Sequence, residues 1–403
     1  MNLLKHKAGR GLLAFAFYFA EGAPIGFIWW ALPTYLRQNK VGVETIGTSL
    51  ALLTLPWVLK FLWAPLIDRF RTEHFGFKKW IALSQVLMCV SLLPLVFIPF
   101  AGNIHWWIGF LLFHSLFAAT QDVAVDAMMI KIVGTKDRGK LNGYMQAGML
   151  FGRSLFGGGT LILIQNIGLR GTIITMILVI LSILLLLTLF KEPETYVKRE
   201  ANALNFWVNL KKVFFSKQTL YTLLFALTSG AVFEAVGGMA GSFLTDKDLG
   251  MESIGLFLGI PVVICMLLGG LLGGFISDRM NRKKAATIFL FAVSLSVMLI
   301  AWLDVTKNHY PYQIWLTFFC CMYFFTGMFI ASSYALFMDA TNPEFGAVQF
   351  STFMAATNCC EFWVVWSAGH IVASYGYGMA FIIMTAVSLF SLVFLFKNKM
   401  KIV

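Results

Sequence analysis

Twelve apolar stretches, each about the length that a helix needs to cross a bilayer, set the terms for this chain. They fall at about 11–36, 45–67, 80–100, 105–130, 141–164, 171–190, 219–244, 253–277, 285–303, 313–338, 346–373 and 376–396. Backbone N–H and C=O groups in hydrocarbon find no water, so a spanning segment must satisfy them within itself, as an α-helix does. The chain is 59% hydrophobic and only 12% charged, against about 25% charged in soluble domains. No core of this size hides that much apolar surface from water. The expected fold class is an all-α polytopic membrane protein with twelve transmembrane helices.

The first stretch follows a basic start, MNLLKHKAGR, and contains Glu21. It is too long for the apolar region of a signal peptide, so it reads as the first span. The net charge of +12 could suggest nucleic acid, but its distribution answers otherwise. With both ends placed in the cytoplasm, the inner segments hold 24 of the 31 Lys and Arg residues and the outer loops hold 5. This is the inward bias of a multi-pass protein of the cytoplasmic (inner) membrane, with both termini cytoplasmic. No nucleic-acid partner is needed. Two bases remain inside spans, Lys60 and Arg153.

The longest interior loop divides the chain into a six-helix bundle over 1–190, a central loop over 191–217 and a second six-helix bundle over 218–403. The halves echo each other. VETIGTSLAL at 43–52 resembles MESIGLFLGI at 251–260, and APLIDRF at 64–70 resembles GFISDRM at 274–280. Landmarks at matching places in two halves indicate an internal repeat with pseudo-two-fold symmetry, the plan of many secondary transporters. The second copy of the later landmark continues as Asp278, Arg279, Asn281, Arg282, Lys283 and Lys284. The first copy carries Asp68 and Arg69. In such a motif an Asp caps a helix start or pairs with a base, and an Arg grips the neighbouring bundle. These residues, Asp68, Arg69, Asp278, Arg279 and Arg282, form a candidate gate. The motif resembles the loop that joins spans two and three in the major facilitator superfamily, and it appears at both expected places. That resemblance implies the major facilitator fold, with two six-helix bundles rocking about a midplane site.

Ionisable groups inside a membrane are costly, so each is a functional candidate. Seven occur: Glu21, Lys60, Asp122, Asp126, Arg153, Glu234 and Glu361. Asp122 and Asp126 stand four apart and share a helix face. Lys60 lies at comparable depth and is the natural partner for Asp122, either as a fixed packing pair or as part of a working site. Five acids face two bases, so at least three acids lack an intramembrane base. A desolvated carboxyl without a base tends to take a proton. Glu21, Glu234 and Glu361 are therefore candidates for proton coupling. Gly22 and Pro24 follow Glu21, so a local break in the first span is expected there.

Several features read as structure. GGLLGG at 269–274 places small residues four apart, which lets helices pack closely in lipid. Trp29, Trp30, Trp106 and Trp107 are expected in an interfacial belt, while Tyr18 and Trp363 stand beside Glu21 and Glu361 and could touch a solute. The six cysteines lie in apolar stretches without a CxxC pair and read as small buried hydrophobes. The histidines lack metal-ligand spacing, and neither a Walker P-loop nor a nucleophile motif is present. No cofactor or metal is called for, and the chain does not read as an enzyme.

The stretches LPWVLKFLWAPLIDRF (55–70), TQDVAVDAM (120–128) and GYMQAGMLFGRSLFGGG (143–159) resemble one branch of that superfamily. It comprises the AmpG-type muropeptide permeases, the acetyl-CoA transporters and the RhtX/FptX-type siderophore permeases. ALPTYLRQ at 31–38 leans toward the last group. The resemblance covers Lys60, Trp63, Pro65, Asp68, Arg69, Gln121, Asp122, Asp126 and Arg153, and implies that they belong to the gate or cavity. Together these features predict a secondary active transporter, a proton-coupled symporter that imports a sizeable polar or anionic solute, siderophore-like or muropeptide-like. It is expected to work as a monomer in the lipid bilayer. The competing readings are an efflux transporter of the same fold and a non-transporting membrane accessory protein.

Overall fold

The structure, a computed structural model of the chain, describes residues 6–69, 76–132, 138–189, 216–306, 310–341 and 346–397. Fifteen α-helices and no strand occur among the described residues. They are α1 (Lys7–Gly26), α2 (Leu32–Gln38), α3 (Val43–Arg69), α4 (Phe77–Phe97), α5 (Ile104–Ile132), α6 (Arg138–Arg153), α7 (Gly159–Leu186), α8 (Lys217–Ser229), α9 (Ala231–Asp246), α10 (Met251–Gly259), α11 (Pro261–Arg279), α12 (Arg282–Val305), α13 (Tyr312–Asp339), α14 (Gly346–Tyr375) and α15 (Tyr377–Lys397). Among the described residues, ten helical stretches are long and apolar enough to cross a membrane. One, Gly143–Leu189, runs 47 residues and turns at Gly168, whose φ of 72° is not helical. It thus supplies two of the expected spans. α14 forms a helix over the eleventh expected span although it is not among the ten.

The helices group into two compact units. The first holds residues 1–35, 52–198 and 250–259, and the second holds 36–51, 199–249 and 260–403. Each unit therefore includes a short segment from the other half of the chain.

In the first unit, α1 lies against α6 at backbone distance. A Cβ on Gly26 would stand 2.7 Å from Arg153 Cα, and Gly22, Gly148 and Gly152 similarly face backbone across the pair. This is how small residues bind helices in lipid, where there is little hydrophobic gain from helix–helix contact. The bottom of the unit is filled by a cluster of Leu13, Phe17, Tyr18, Ile67, Phe77, Ile81, Val125, Met128 and Met129, drawn from α1, α3, α4 and α5. In the second unit GGLLGG does the same work: a Cβ on Gly273 would meet the Met328 carbonyl at 2.7 Å, and one on Gly327 would meet Gly270 N at 2.8 Å.

Three sequence expectations change here. α1 continues as a regular helix through Glu21, Gly22 and Pro24, and the disturbance appears later, as a π-helical turn at Phe27–Ala31. A proline costs one helical hydrogen bond, and a neighbouring widened turn re-satisfies the backbone. The tryptophans do not all form a belt. Trp106 is exposed, but Trp30 and Trp107 are buried, Trp30 against Gly157 and Trp107 donating to the Ile98 carbonyl at 3.3 Å. The cysteines are all free thiols; Cys89 and Cys360 are buried, whereas Cys321 is exposed.

Candidate functional site

The first unit gathers five polar side chains that the sequence scatters over 108 positions. Lys60, on α3, forms an ion pair with Asp122, on α5. The pairing expected of that lysine is thus present. One turn along α5, Asp126 accepts a hydrogen bond from the Tyr18 hydroxyl of α1. The four-residue spacing of the two aspartates puts both on the face that meets α1 and α3. Glu21, one turn beyond Tyr18, lies beside Asp122 and interacts electrostatically with Asp122, Asp126 and Lys60. Glu21 is 3% exposed and Asp122 4%. The Oε2 atom of Glu21 has no hydrogen-bond partner among the described residues. Three carboxyls therefore share one ammonium, with Glu21 and Asp122 buried and Lys60 and Asp126 half-buried. Full ionisation would leave excess negative charge in a poorly solvating medium, which is costly.

Arg153 is placed differently. It ends α6, immediately before a second π-helical turn at Ser154–Gly158. Turns of this kind re-aim side chains and often mark working sites. Its Nε is buried without a hydrogen-bond partner, and no ion pair of Arg153 is found among the described residues. The guanidinium is thus a base not committed to any of the acids.

Gln121 precedes Asp122 and is 0% exposed, with both amide atoms unpartnered among the described residues. Gln85, on α4, is in the same condition. Gln85 carries no charge and sits within an apolar stretch, so only its amide marks it in the sequence.

In the second unit Glu234 and Glu361 converge on one thiol. Cys360, on α14, interacts with both carboxyls, and a Cβ on Gly230 would stand 3.3 Å from its Sγ and 3.5 Å from Glu234 Cγ. Both acids are half-buried. The helix of the seventh span is interrupted here: α8 ends at Ser229 and α9 starts at Ala231. Ser388 of α15 bridges the interruption, donating to the Ser229 carbonyl at 2.8 Å and accepting from Val232 N at 2.8 Å. Discontinuous spans beside acids commonly line solute or ion sites. Trp363 donates its indole N–H to the Leu227 carbonyl at 3.0 Å, which ties α14 to α8.

The second gate copy is well formed. Arg282 donates to Asp339 at 2.7 Å and to the Ala335 carbonyl at 3.0 Å, and reaches Asp278 at 3.4 Å. Arg279 lies over the Phe275 ring at 3.8 Å. Asp278 takes the second of its two expected roles and pairs with a base, Arg282, while the cap of α12 is Asn281, which accepts from Lys283 N and Lys284 N. One expectation shifts. Arg282 grips the end of α13, in its own unit. In the first copy α3 extends to Arg69, but the side chains of Asp68 and Arg69 lie outside the described residues.

Comparison with known proteins agrees with this architecture. Residues 11–360 match the model of the Major Facilitator Superfamily. The chain is 22% identical to the anhydromuropeptide permease of Escherichia coli over 383 residues, covering 94% of this chain and 77% of that protein. It is 25% identical over 401 residues to a protein of Rickettsia conorii called putative transporter AmpG 4, covering 93% and 94% of the two chains. In three dimensions it resembles a D-xylose–proton symporter with a TM-score of 0.79, at 14% identity and with 97% of each chain covered. The chain is a multi-pass membrane protein whose family and relatives are transporters and not enzymes. By the length of that match and the helical plan that accompanies it, the chain belongs to the Major Facilitator Superfamily.

Proposed function

We propose that this protein is a proton-coupled importer of a muropeptide-class solute, working by alternating access in the cytoplasmic membrane with both termini inside. The observation that carries the reading is the cluster of Glu21, Asp122 and Asp126 around the single base Lys60. Three carboxyls and one ammonium cannot all be charged at low cost in such a site. Protonation therefore tracks whichever side of the membrane the site meets, and that is the requirement for coupling. Lys60 and Tyr18 fix Asp122 and Asp126, so Glu21 is the group freest to gain and lose a proton. Arg153, uncommitted to these acids, is placed to hold an anionic group of the solute. Glu234 and Glu361, beside the broken seventh span, supply acceptors for its polar or cationic parts. Asp278, Arg279 and Arg282, with Asp68 and Arg69, serve the gate. The solute class rests on the likeness to proteins named for anhydromuropeptide or AmpG transport.

The test is uptake of a labelled anhydromuropeptide by proteoliposomes under an inward proton gradient. Gradient-driven accumulation is expected, with Glu21→Gln retaining exchange of solute at equilibrium but losing accumulation. Uptake indifferent to the gradient would overturn the coupling. Accumulation of a ferric siderophore in preference to the muropeptide would replace the solute class, and net efflux from loaded vesicles under the same gradient would reverse the direction.

A further inference from the structure

The least satisfied groups in the first unit lie beyond the carboxylates, toward the opposite end of α5. Gln85 and Gln121 are each 0% exposed, and all four of their amide atoms lack partners among the described residues. His114 Nε2 and Ser115 Oγ are buried in the same state. An unmet buried polar group costs about 1–3 kcal/mol, and native interiors meet such groups with protein or with ordered water.

Helix register brings these groups together. His114 Nδ1 lies 3.2 Å from the Met88 carbonyl and 3.4 Å from Ser91 Oγ, which fixes where α4 and α5 cross. Gln121 stands two turns further along α5 on the His114 face. Gln85 stands one to two turns back along α4 on the Met88–Ser91 face. The helices run antiparallel, so both displacements are in the same direction, and the amides reach the same level. Beyond it Phe77 and Ile81 meet Val125 and Met128 in one cluster, which continues the register. Ala118 and Ala119, both fully buried, fill the turn between with little volume. A polar seam thus runs along α5 from His114 through Gln85 and Gln121 to Asp122 and Asp126, about 18 Å in length.

We propose that the Gln85–Gln121 level is an internal water site, and that this water extends the proton path of the carboxylate cluster toward His114. A direct amide–amide clasp could serve the glutamines alone. It would leave His114 Nε2 and Ser115 Oγ, about two turns away, unmet, whereas a file of waters that starts at the amides and continues along the seam both donates and accepts and reaches each group in turn. The titratable groups that face the seam are Tyr18 and Glu21 on α1, Lys60 on α3, and His114, Asp122 and Asp126 on α5, while the Cys89 thiol of α4 turns away to the Ile177 carbonyl of α7 at 3.9 Å. No step beyond relay of a proton between these groups and water is required. The path rests on the proton-coupled reading above; the water site does not.

Two measurements on the full chain in proteoliposomes separate the parts. Radiolytic hydroxyl labelling modifies buried side chains only where water is beside them. Met88 and His114, at 0% and 1% exposure, are expected to be labelled in the unsubstituted protein and to lose that labelling in the Gln85→Leu/Gln121→Leu variant. Met88 and His114 that stay unlabelled in the unsubstituted protein would overturn the water site. Gradient-driven accumulation of the anhydromuropeptide is expected to be lost in the Gln85→Leu single variant while equilibrium exchange persists. Accumulation unchanged in that variant overturns the path alone. If the unsubstituted protein ignores the gradient, the coupled reading falls and the path with it, while the labelling still decides the water. If the double variant does not fold, Gln85→Met and Gln85→Asn make the same comparison, the first expected to lose labelling and accumulation and the second to keep both.

Discussion

The two halves of the chain start from one repeated plan and end with different chemistry. An offset of 208 residues carries VETIGTSLAL onto MESIGLFLGI, and one of 210 carries APLIDRF onto GFISDRM. The same offsets carry Glu21 onto 229–231, where the seventh span is interrupted. They carry Lys60 onto 268–270, Asp122 onto 330–332 and Asp126 onto 334–336, all uncharged, and Arg153 onto 361–363, which holds Glu361. The first unit thus places acids and a base on unbroken helix, while the second places acids beside a break and a thiol. What the halves share is what folds them: turns, small residues and gate. What they do not share is charge, and that is where one duplicated scaffold can divide proton handling from solute handling.

The strongest test of the difference is Lys60→Met. It leaves Asp122 buried without its base, and breaking a buried pair from one side costs about 3–5 kcal/mol. A large drop in the melting temperature of the purified protein is expected, with uptake abolished. Adding Asp122→Asn removes the stranded charge and should restore much of the melting temperature but not the uptake. A Lys60→Met protein that melts like the unsubstituted one would show that the pair does not organise the first unit. Next in size are the isolated acids. Glu21→Gln removes a carboxyl with an unpartnered buried oxygen, so its stability should hold while gradient-driven accumulation disappears. Glu234→Gln and Glu361→Gln should instead raise the KM for uptake and keep the dependence on the gradient. Equal loss of gradient dependence in all three would erase the division between the units.

The Lys60–Asp122 pair was legible in the sequence, and the irregular backbone was not. Once every Lys and Arg is assigned to a loop or a span, Lys60 has few partners to choose from, and comparable depth in the membrane points to Asp122. The number of spans and the close helix pairs were equally open, because lipid leaves the backbone few options and small residues mark where helices meet. The break was misplaced for a physical reason. Pro24 looks like a helix breaker, but a spanning helix absorbs it in a π turn one turn later. Gly230 looks innocuous, yet the chain parts there because Ser388 satisfies the freed groups from 156 residues away. No local pattern announces such a partner. The Glu361–Cys360–Glu234 grouping was hidden for the same reason, since it joins two spans that only the fold brings together.

That account of the break makes Ser388→Ala informative. The substitution strips a buried N–H and a buried carbonyl of their partner, at a cost of about 1–3 kcal/mol. Thermal unfolding should show it, and hydrogen exchange at Val232 should accelerate. Serine elsewhere on α15 offers a control: Ser391, also buried, has no partner among the described residues, and Ser391→Ala should cost less. Equal costs would mean that the break does not depend on α15.

The smallest effect belongs to the gate. Arg282 serves Asp339, Asp278 and the Ala335 carbonyl from one planar head. Lysine keeps the charge but cannot span three acceptors with that geometry. The acids are solvated, with side-chain exposures of 36% for Asp339 and 69% for Asp278, so the ionic part is worth little and the loss should be within about 1 kcal/mol. Arg282→Lys should therefore fold and melt almost as before. Its consequence belongs in rate: the end of α13 is held less firmly, so equilibrium exchange of solute should quicken or slow while the KM stays put. A shift in KM with unchanged exchange would place Arg282 in solute binding, and the two gate copies would then differ as much as the two charged sites do.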